Sequence, residues 1–412
     1  MWILRVFGLL ALAAYWFLLG GITQMNVFYV WCAVSAAVAI IGVVVLLTAG
    51  RGLVLTRELP AEATEGDTIN VRLRLRNTSW WPKTLLHIVD QFPAEPPDAA
   101  SHHALIDYVG PGQSVTWRYT ACCQQRGRYT IGPCEVTMHD PVALFTAHQR
   151  FPGRQELIVY PRIFPIRQFP ALESGRTPRF GLAVGRLGGG DAGDFYGIRE
   201  YRRGDSLQQI HWRSSARIGK LVVKQFEKST IGEVTLVLDA LRGHDLGTEQ
   251  ETTLEYAVTM LASLATYLVN QQVLVQFICY GRQNVSLPFG RGHEHLHRLL
   301  RALAEVRADG TASLGTVLRT AEPTIPQGSL CVVCLLNTDL EAIGSLWQLR
   351  FKGITPIVFV LDVATFAPDA QLSGMHLVAP EEIHQILASA DARAFRIRRG
   401  EDLERQFARH VR

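Results

Sequence analysis

Three regimes of hydrophobic patterning follow one another along the chain. Val6–Ile22 and Val27–Thr48 are nearly unbroken apolar runs. A membrane-spanning helix needs about 20 apolar residues, within a range of roughly 17–25. The second run meets this length and the first stands at its short end. Gly20, Gly21 and Asn26 offer an uncharged turn between them. The pattern predicts a transmembrane helical hairpin over residues 1–50. A secretory signal would account for the first run, with Met1–Arg5 as its basic start, but the second run would still anchor the chain.

From Arg51 to about Ile166 the pattern changes to period two. Ile69–Arg76 and Ser114–Thr120 alternate strictly, and shorter apolar runs stand at Leu85–Val89, Tyr129–Ile131 and Leu157–Tyr160. Alternation puts one face in a core and the other in water. Glu65-Gly66-Asp67, Pro96-Pro97-Asp98 and Gly110-Pro111-Gly112 read as turns between strands. Short strands at this spacing predict an antiparallel β-sandwich over residues 51–166, with Arg72, Arg74 and Arg76 on its solvated face.

Beyond Gly232 the pattern alternates between strands and helices. Val234–Asp239, Val273–Tyr280, Leu330–Leu336 and Pro356–Leu361 read as buried strands, with Val285–Phe289 forming a hairpin on the second. Thr252–Asn270, His295–Glu305 and Leu314–Ala321 carry helical periodicity. That alternation predicts a mostly parallel, doubly wound α/β sheet over residues 232–412, its functional edge at the strand C-termini. A connector, residues 167–231, separates it from the sandwich.

Composition adds little beyond this order. The formal net charge of +4 over 412 residues does not mark a nucleic-acid binder. Cys331 and Cys334 have C-x-x-C spacing, but Val332, Val333, Leu335 and Leu336 around them read as a buried strand, not a zinc knuckle. Arg5 precedes the first apolar run and Arg51 and Arg57 follow the second, whereas the loop between the runs has no basic residue. The positive-inside rule then places both termini and the soluble part in the cytoplasm, with the loop between the helices outside.

The densest polar stretch runs from Asp194 to Glu227, where Arg199, Arg202, Arg203, Arg213, Arg217, Lys220 and Lys224 alternate with Asp194, Glu200, Asp205, Glu227 and aromatic residues. Mixed signs favour an ion-paired connector over a phosphate-binding patch. We expect Arg199, Asp205, Trp212 and Arg217 to form a packed clasp, with Trp212 largely buried.

Arg199-x-Tyr201-x-x-Gly204-Asp205, then Ile210-x-Trp212, then Ala216-Arg217, then a strand ending Lys224-x-Phe226-Glu227, resembles the hallmark of the bacterial family catalogued as domain of unknown function fifty-eight, DUF58. Arg126–Pro133, Asp140–Phe145 and Leu157–Pro161 are similar to further elements of that family. Gln208 and Ala143 depart from it, standing where arginine and glycine are frequent. The resemblance implies a membrane-anchored protein partnered by a MoxR-type AAA+ ATPase and a transglutaminase-like membrane protein.

The C-terminal strand order resembles a von Willebrand factor A-like domain. Such domains hold a divalent ion on Asp-x-Ser-x-Ser, a later Thr and a later Asp. Asp239, Thr311 and Asp339 match the first Asp, the Thr and the last Asp, but Leu241 and Gly243 stand in place of the serines. Mg²⁺ prefers an octahedral shell of oxygens, so the resemblance implies a degenerate ion site, empty at physiological concentrations, and no cofactor is expected. Two carboxylates at one edge still need an offset, for which Arg242 is a candidate. His293 and His297 would share a helix face, as zinc ligands can, but no third ligand is evident and a solvated helix start is the plainer reading.

No Gly-x-Ser-x-Gly, Walker loop or His-Glu-x-x-His occurs in the chain. The sequence reading is therefore a non-enzymatic, membrane-anchored adaptor with the lipid bilayer and the ATPase as partners and no nucleic acid. The alternatives are a metal-activated hydrolase and a nucleic-acid binder acting through residues 194–227.

Overall fold

The computed structural model describes residues 2–49, 51–139, 146–152, 155–167, 169, 195–200, 211–226, 232–248, 251–336, 338–368, 372, 378–389 and 392–404. The chain divides into two compact units: Met1–Arg162 with Leu303–Glu305, and Ile163–Ala302 with Val306–Arg412.

The first unit opens with helices α1 (Trp2–Thr23) and α2 (Asn26–Ala49), paired as a hairpin. At 1.5 Å per residue they are about 33 and 36 Å long, enough to cross a hydrocarbon layer about 30 Å thick. Phe7, Leu18, Ile22, Val30 and Ile40 lie uncovered on their outer surfaces. Helices that are apolar all round and bare on most sides are compatible with a membrane anchor. Their turn differs from the sequence expectation. Gly20 and Gly21 stay helical, Asn26 begins α2, and the chain reverses at Gln24 and Met25, Gln24 with φ 53°. Gly20 serves packing instead, since a Cβ there would stand 3.1 Å from the Tyr29 ring across the hairpin.

Ten strands follow: β1 (Leu53–Glu58), β2 (Glu62–Thr64), β3 (Thr68–Asn77), β4 (Lys83–Gln91), β5 (Ser101–Val109), β6 (Ser114–Cys122), β7 (Gly127–Ile131), β8 (Cys134–His139), β9 (Thr146–Phe151) and β10 (Gln155–Tyr160). They form three sheets, ordered β1-β3-β6, β5-β4-β8-β9 and β2-β10-β7. Strict alternation in β3 buries Ile69, Val71, Leu73 and Leu75 and turns Arg72, Arg74 and Arg76 outward. Leu75 then joins Leu86, Ile88 and Val136 of the four-stranded sheet in one core. Ile69 and Val71 join Ile131, Leu157 and Val159 of the third sheet in another. Pairing is antiparallel except between β2 and β10, where the three-residue β2 adds to the edge of β10 in parallel.

Between the layers lies a buried ion pair. Arg57 of β1 meets Asp90 of β4, their side chains 4% and 0% exposed. Tyr119 donates to Asp90 Oδ2 at 2.7 Å, and the Arg57 Nη1 donates to the Ile131 carbonyl at 3.1 Å. Burial first, then the Asp90 charge, drives the Tyr119 phenol far above its ordinary pKa, so it stays a donor. Arg57 is thus committed to a structural pair, which leaves Arg51 as the exposed basic residue beyond α2.

The first strands of the second unit form an antiparallel ribbon of β11 (Phe195–Glu200) and β12 (Val222–Phe226), with helix α3 (Trp212–Ile218) between them in sequence. Trp212 is 65% exposed, against the expectation of burial. A helix of seven residues has only two turns. Its inward side is taken by Ser215, whose hydroxyl donates to the His211 carbonyl and accepts from the Val222 amide, each at 3.0 Å. Trp212, at the first turn, is left outside.

A six-stranded sheet follows, ordered β17-β16-β13-β18-β19-β20: β13 (Glu233–Leu238), β16 (Leu274–Tyr280), β17 (Asn284–Gly290), β18 (Leu330–Leu336), β19 (Thr355–Leu361) and β20 (Arg393–Ile397). The two-residue strands β14 (Gly247–Thr248) and β15 (Glu251–Thr252) form a separate ribbon. All neighbours in the large sheet are parallel except β17, which hairpins onto β16. The inner strands are buried on both faces. On one side Val237, Val333 and Val358 pack against helices α6 (Leu314–Ala321), α7 (Leu340–Phe351) and α9 (Pro380–Ser389). Helices α4 (Thr253–Asn270), α5 (His293–Glu305) and the single-turn α8 (Val363–Phe366) complete the chain order.

The paired cysteines and the clustered histidines are placed by the elements that carry them. Cys331 and Cys334 lie fully buried in β18, and burial pushes the Cys331 thiol up to about 12 and that of Cys334 further. His295 is also buried, with its Nε2 2.7 Å from the Val275 carbonyl, so it pins α5 to β16. His293 and His297 are exposed in the first turns of α5.

Candidate functional site

Parallel strands end on a common edge, and in the second unit that edge collects carboxylates. Asp239 follows β13, Asp339 follows β18 and Asp362 follows β19. Each side chain or backbone there does a local job first. The Asp239 Oδ1 accepts from the Leu241 amide at 2.9 Å, which folds the loop back on itself. Asp339 caps α7, its Oδ1 accepting from the Ala342 amide at 3.1 Å. Asp362 precedes α8 and is fixed by the backbone of β20, its amide donating to the Ile397 carbonyl at 2.9 Å.

Each carboxylate is then offset differently. Asp362 accepts from the Arg396 Nη2 at 2.7 Å and from its Nε at 3.2 Å, and Arg396 also meets Glu381. Asp239 is offset by His244, whose Nδ1 lies 2.5 Å from the Asp239 Oδ2. Asp339 keeps one oxygen unsatisfied: among the described residues its buried Oδ2 has no hydrogen-bond partner. Burial, and the Asp239 charge, raise the Asp339 carboxyl above the ordinary Asp range, with the Ala342 amide and His244 acting the other way.

His244 is held from behind. Its carbonyl accepts from the Thr253 hydroxyl at 2.7 Å, and its amide donates to the Leu241 carbonyl at 3.1 Å. The same Thr253 hydroxyl accepts from the Leu246 amide at 3.0 Å. The imidazole is thus delivered to the carboxylates by a loop tied to the start of α4. Burial alone would lower its pKa. The Asp239 hydrogen bond and the charges of Asp239 and Asp339 outweigh burial and raise it. A cavity of about 20 Å³ lies beside it, lined by Asp239, His244, Asp245 and Thr253 above Leu254, Cys334 and Leu336. That is room for about one water.

Of the residues expected at the ion site, Asp239 and Asp339 stand close enough to perturb one another, just beyond the ends of adjacent parallel strands. Thr311 is exposed and follows Gly310, which knits the two loops together. The Gly310 amide donates to Ala240 at 2.8 Å, and its carbonyl accepts from Arg242 at 3.0 Å. A Cβ at Gly310 would fall 2.5 Å from the Tyr280 carbonyl and 2.8 Å from that of Ala240, so only glycine permits this approach. Arg242, a candidate offset from sequence, has an exposed side chain; the basic side chain in contact with Asp239 is His244. These residues do not fit a hard divalent ion. Leu241 and Gly243 lack side-chain oxygens and the Asp239 oxygens are already occupied. Among the described residues, no group of three or more His, Cys, Asp and Glu side chains is arranged to hold a metal.

His244, Asp362 and Arg396 were not anticipated. An Asp and a His five positions apart in a strand-to-helix loop is the one signal that could have found His244. Of the signature residues, Tyr201, Gly204 and Asp205 lie outside the described residues, as does Asp140–Phe145. Arg199 pairs with Val223 and Lys224 with Ile198 across the β11–β12 ribbon. Arg217 is exposed in α3.

Residues 197–334 match the family described as Protein of unknown function DUF58, spanning the ribbon and the parallel sheet as far as β18. The chain is also similar to "Uncharacterized protein YeaD" of Bacillus subtilis (strain 168), 22% identical over 275 residues. That match covers 65% of this chain and 66% of the relative, just under two thirds of each. Solved structures match at lower similarity. The PKD domain of an M14-like peptidase from a Thermoplasmatales archaeon is 12% identical, covering 26% of this chain and 92% of that one, with a TM-score of 0.18. Proximal thread matrix protein 1 from the mussel byssus is 10% identical, covering 44% and 47%, with a TM-score of 0.31.

Proposed function

We propose that the protein is a membrane-anchored, non-enzymatic adaptor of the DUF58 kind, whose parallel-sheet edge docks a protein partner without a metal ion. The hairpin spans a bacterial inner membrane with both termini in the cytoplasm, a reading supported by exposed Arg51 beyond α2 and the absence of basic residues between the helices. The β layers of the first unit act as a sandwich. The second unit is read as von Willebrand factor A-like, supported by its sheet order, its antiparallel edge strand β17 and the positions of Asp239, Thr311 and Asp339.

The observation that carries this reading is the contact between His244 and Asp239. In a metal-dependent adhesion site, a cation bridges the domain's carboxylates to a partner's carboxylate. Here the histidine occupies the oxygen that a cation would take. The edge then presents half-buried Asp339 and neighbouring polar loops without a bridging ion, and suits a partner that offers an N–H or cationic donor. The resemblance to DUF58 suggests a MoxR-type AAA+ ATPase as that partner, with a transglutaminase-like membrane protein nearby.

The full chain in lipid nanodiscs, mixed with the purified ATPase, tests the proposal. A complex should form in EDTA as well as in Mg²⁺ when probed with a nucleotide-free ATPase, and ATP turnover measured in Mg²⁺ should change on binding. No complex under any condition, or hydrolytic activity of the chain alone, would contradict it.

A further inference from the structure

The loop between β3 and β4 carries Trp80 and Trp81 edge to face, ring centroids 5.2 Å apart, and Trp80 is 75% exposed. Such exposure is not the result of slack. Asn77 is fully buried beneath the loop and uses its whole amide to fix it. Its Nδ2 donates to the Trp81 carbonyl at 2.8 Å and the Val109 carbonyl at 3.1 Å. Its Oδ1 accepts from the Ser79 amide at 3.0 Å and the Ser79 hydroxyl at 2.6 Å. A rigid loop that displays one indole to the outside, with a half-buried second indole packed against it, invites an apolar or amphipathic partner.

The place of the loop identifies that partner. Thr78 donates to the Gly52 carbonyl through its amide at 2.6 Å and through its hydroxyl at 2.9 Å. Gly52 is three residues beyond Ala49, the end of α2. Three extended residues reach at most about 11 Å. The α2 helix, about 36 Å long, exceeds a hydrocarbon layer of about 30 Å, so its end emerges among the lipid headgroups. The loop is therefore tethered within headgroup range of the bilayer. More uncovered side chains stand at the same end of the four-stranded sheet, where Lys83 pairs with Val109 and Thr84 with Tyr108. Tyr108 is 53% exposed, and Leu85 and Leu105 lie uncovered nearby. Trp and Tyr beside Arg51 match the composition of a membrane–water interface.

We propose that the Trp80–Trp81 loop is a second, interfacial contact with the lipid surface, which fixes the β layers against the bilayer beside α2. The inference rests on the membrane-spanning reading of the hairpin, and its test separates the two. The full chain is reconstituted in phosphatidylethanolamine–phosphatidylglycerol nanodiscs with Cys32→Ser and Cys122→Ser, the remaining cysteines being buried. Nitroxide labels are placed singly by Ile41→Cys, Trp80→Cys and Asp98→Cys, and collision with oxygen and with a water-soluble nickel chelate is measured. At position 80 the nickel accessibility should be several-fold below that at exposed position 98, and the depth should fall between 98 and 41. An aqueous label at 80 with a lipid-immersed label at 41 overturns the interfacial contact alone. An aqueous label at 41 overturns the spanning hairpin and the contact with it. A label at 80 that is shielded from both reagents indicates a protein partner and also overturns the proposal. On unlabelled protein, lipids brominated near the headgroup should quench wild-type emission more than that of Trp80→Phe, and equal quenching counts against it.

Discussion

Each unit sets a carboxylate against a basic side chain, and the two solutions differ in one respect. In the first unit, Asp90 is held bidentately by the Nε and Nη2 of Arg57 and also by Tyr119, and Arg57 spends a further donor on the Ile131 carbonyl. That network is saturated and fully enclosed. In the second unit, Asp239 and Asp339 share one half-buried imidazole, a water-sized cavity lies alongside, and the Asp339 Oδ2 is left unmatched among the described residues. Unmatched buried polar atoms cost free energy, of order 1–3 kcal/mol each, and persist where another role holds them. A closed network is an element of architecture. An incomplete one at the edge of a parallel sheet is where binding is to be sought.

The largest expected effect belongs to the closed network. Asp90→Ala leaves a buried guanidinium unpaired and should cost about 3–5 kcal/mol, read by chemical or thermal unfolding of the first unit. If that substitution proves mild, the distinction between the two networks collapses. His244→Ala removes a charge-assisted hydrogen bond and should cost less, about 1–3 kcal/mol. It also frees the Asp239 Oδ2. Millimolar Mg²⁺ should therefore raise the melting temperature of His244→Ala while leaving wild type unchanged.

The pH dependence sharpens the same contrast. The folded pKa of His244 is raised above its unfolded value of about 6.5. Its contribution is then fully present below the unfolded pKa and is lost as pH rises through the folded one. Stability of the second unit should fall between slightly acid and mildly alkaline pH in wild type, and His244→Ala should lose that slope. The smallest effect is expected from Asp339→Asn. Asparagine caps a helix as well as aspartate does, so stability should change by no more than about 1 kcal/mol while partner binding weakens.

Alternation made β3 and β6 legible from residues alone, because one face of each had to be apolar. The buried parallel strands β13, β18 and β19 were equally plain as short continuous runs. Strand β5 escaped because Leu105 and His103 stand on its outer face and blur the alternation. Strand β20 escaped because an edge strand with Arg393 and Arg396 carries no apolar run, and its meaning depends on Asp362, 34 positions earlier. The charge networks were hidden for the same reason: Arg57 and Asp90 are 33 residues apart, and only register across two layers brings them together. Asp239 and Asp339 could be named from a family pattern, whereas His244 lies in a loop with no period, and its role is set by a hydroxyl from α4. Trp212 failed as a core residue since aromatic character does not say which side of a two-turn helix faces inward.

On the proposed reading, His244 takes the place of a metal at the sheet edge. Isothermal titration calorimetry of Mg²⁺ and of Mn²⁺ into the full chain in nanodiscs tests it most directly. Wild type should give no saturable heat beyond that of empty nanodiscs. Saturable micromolar binding that Asp239→Ala abolishes would contradict the account and restore a metal-dependent site.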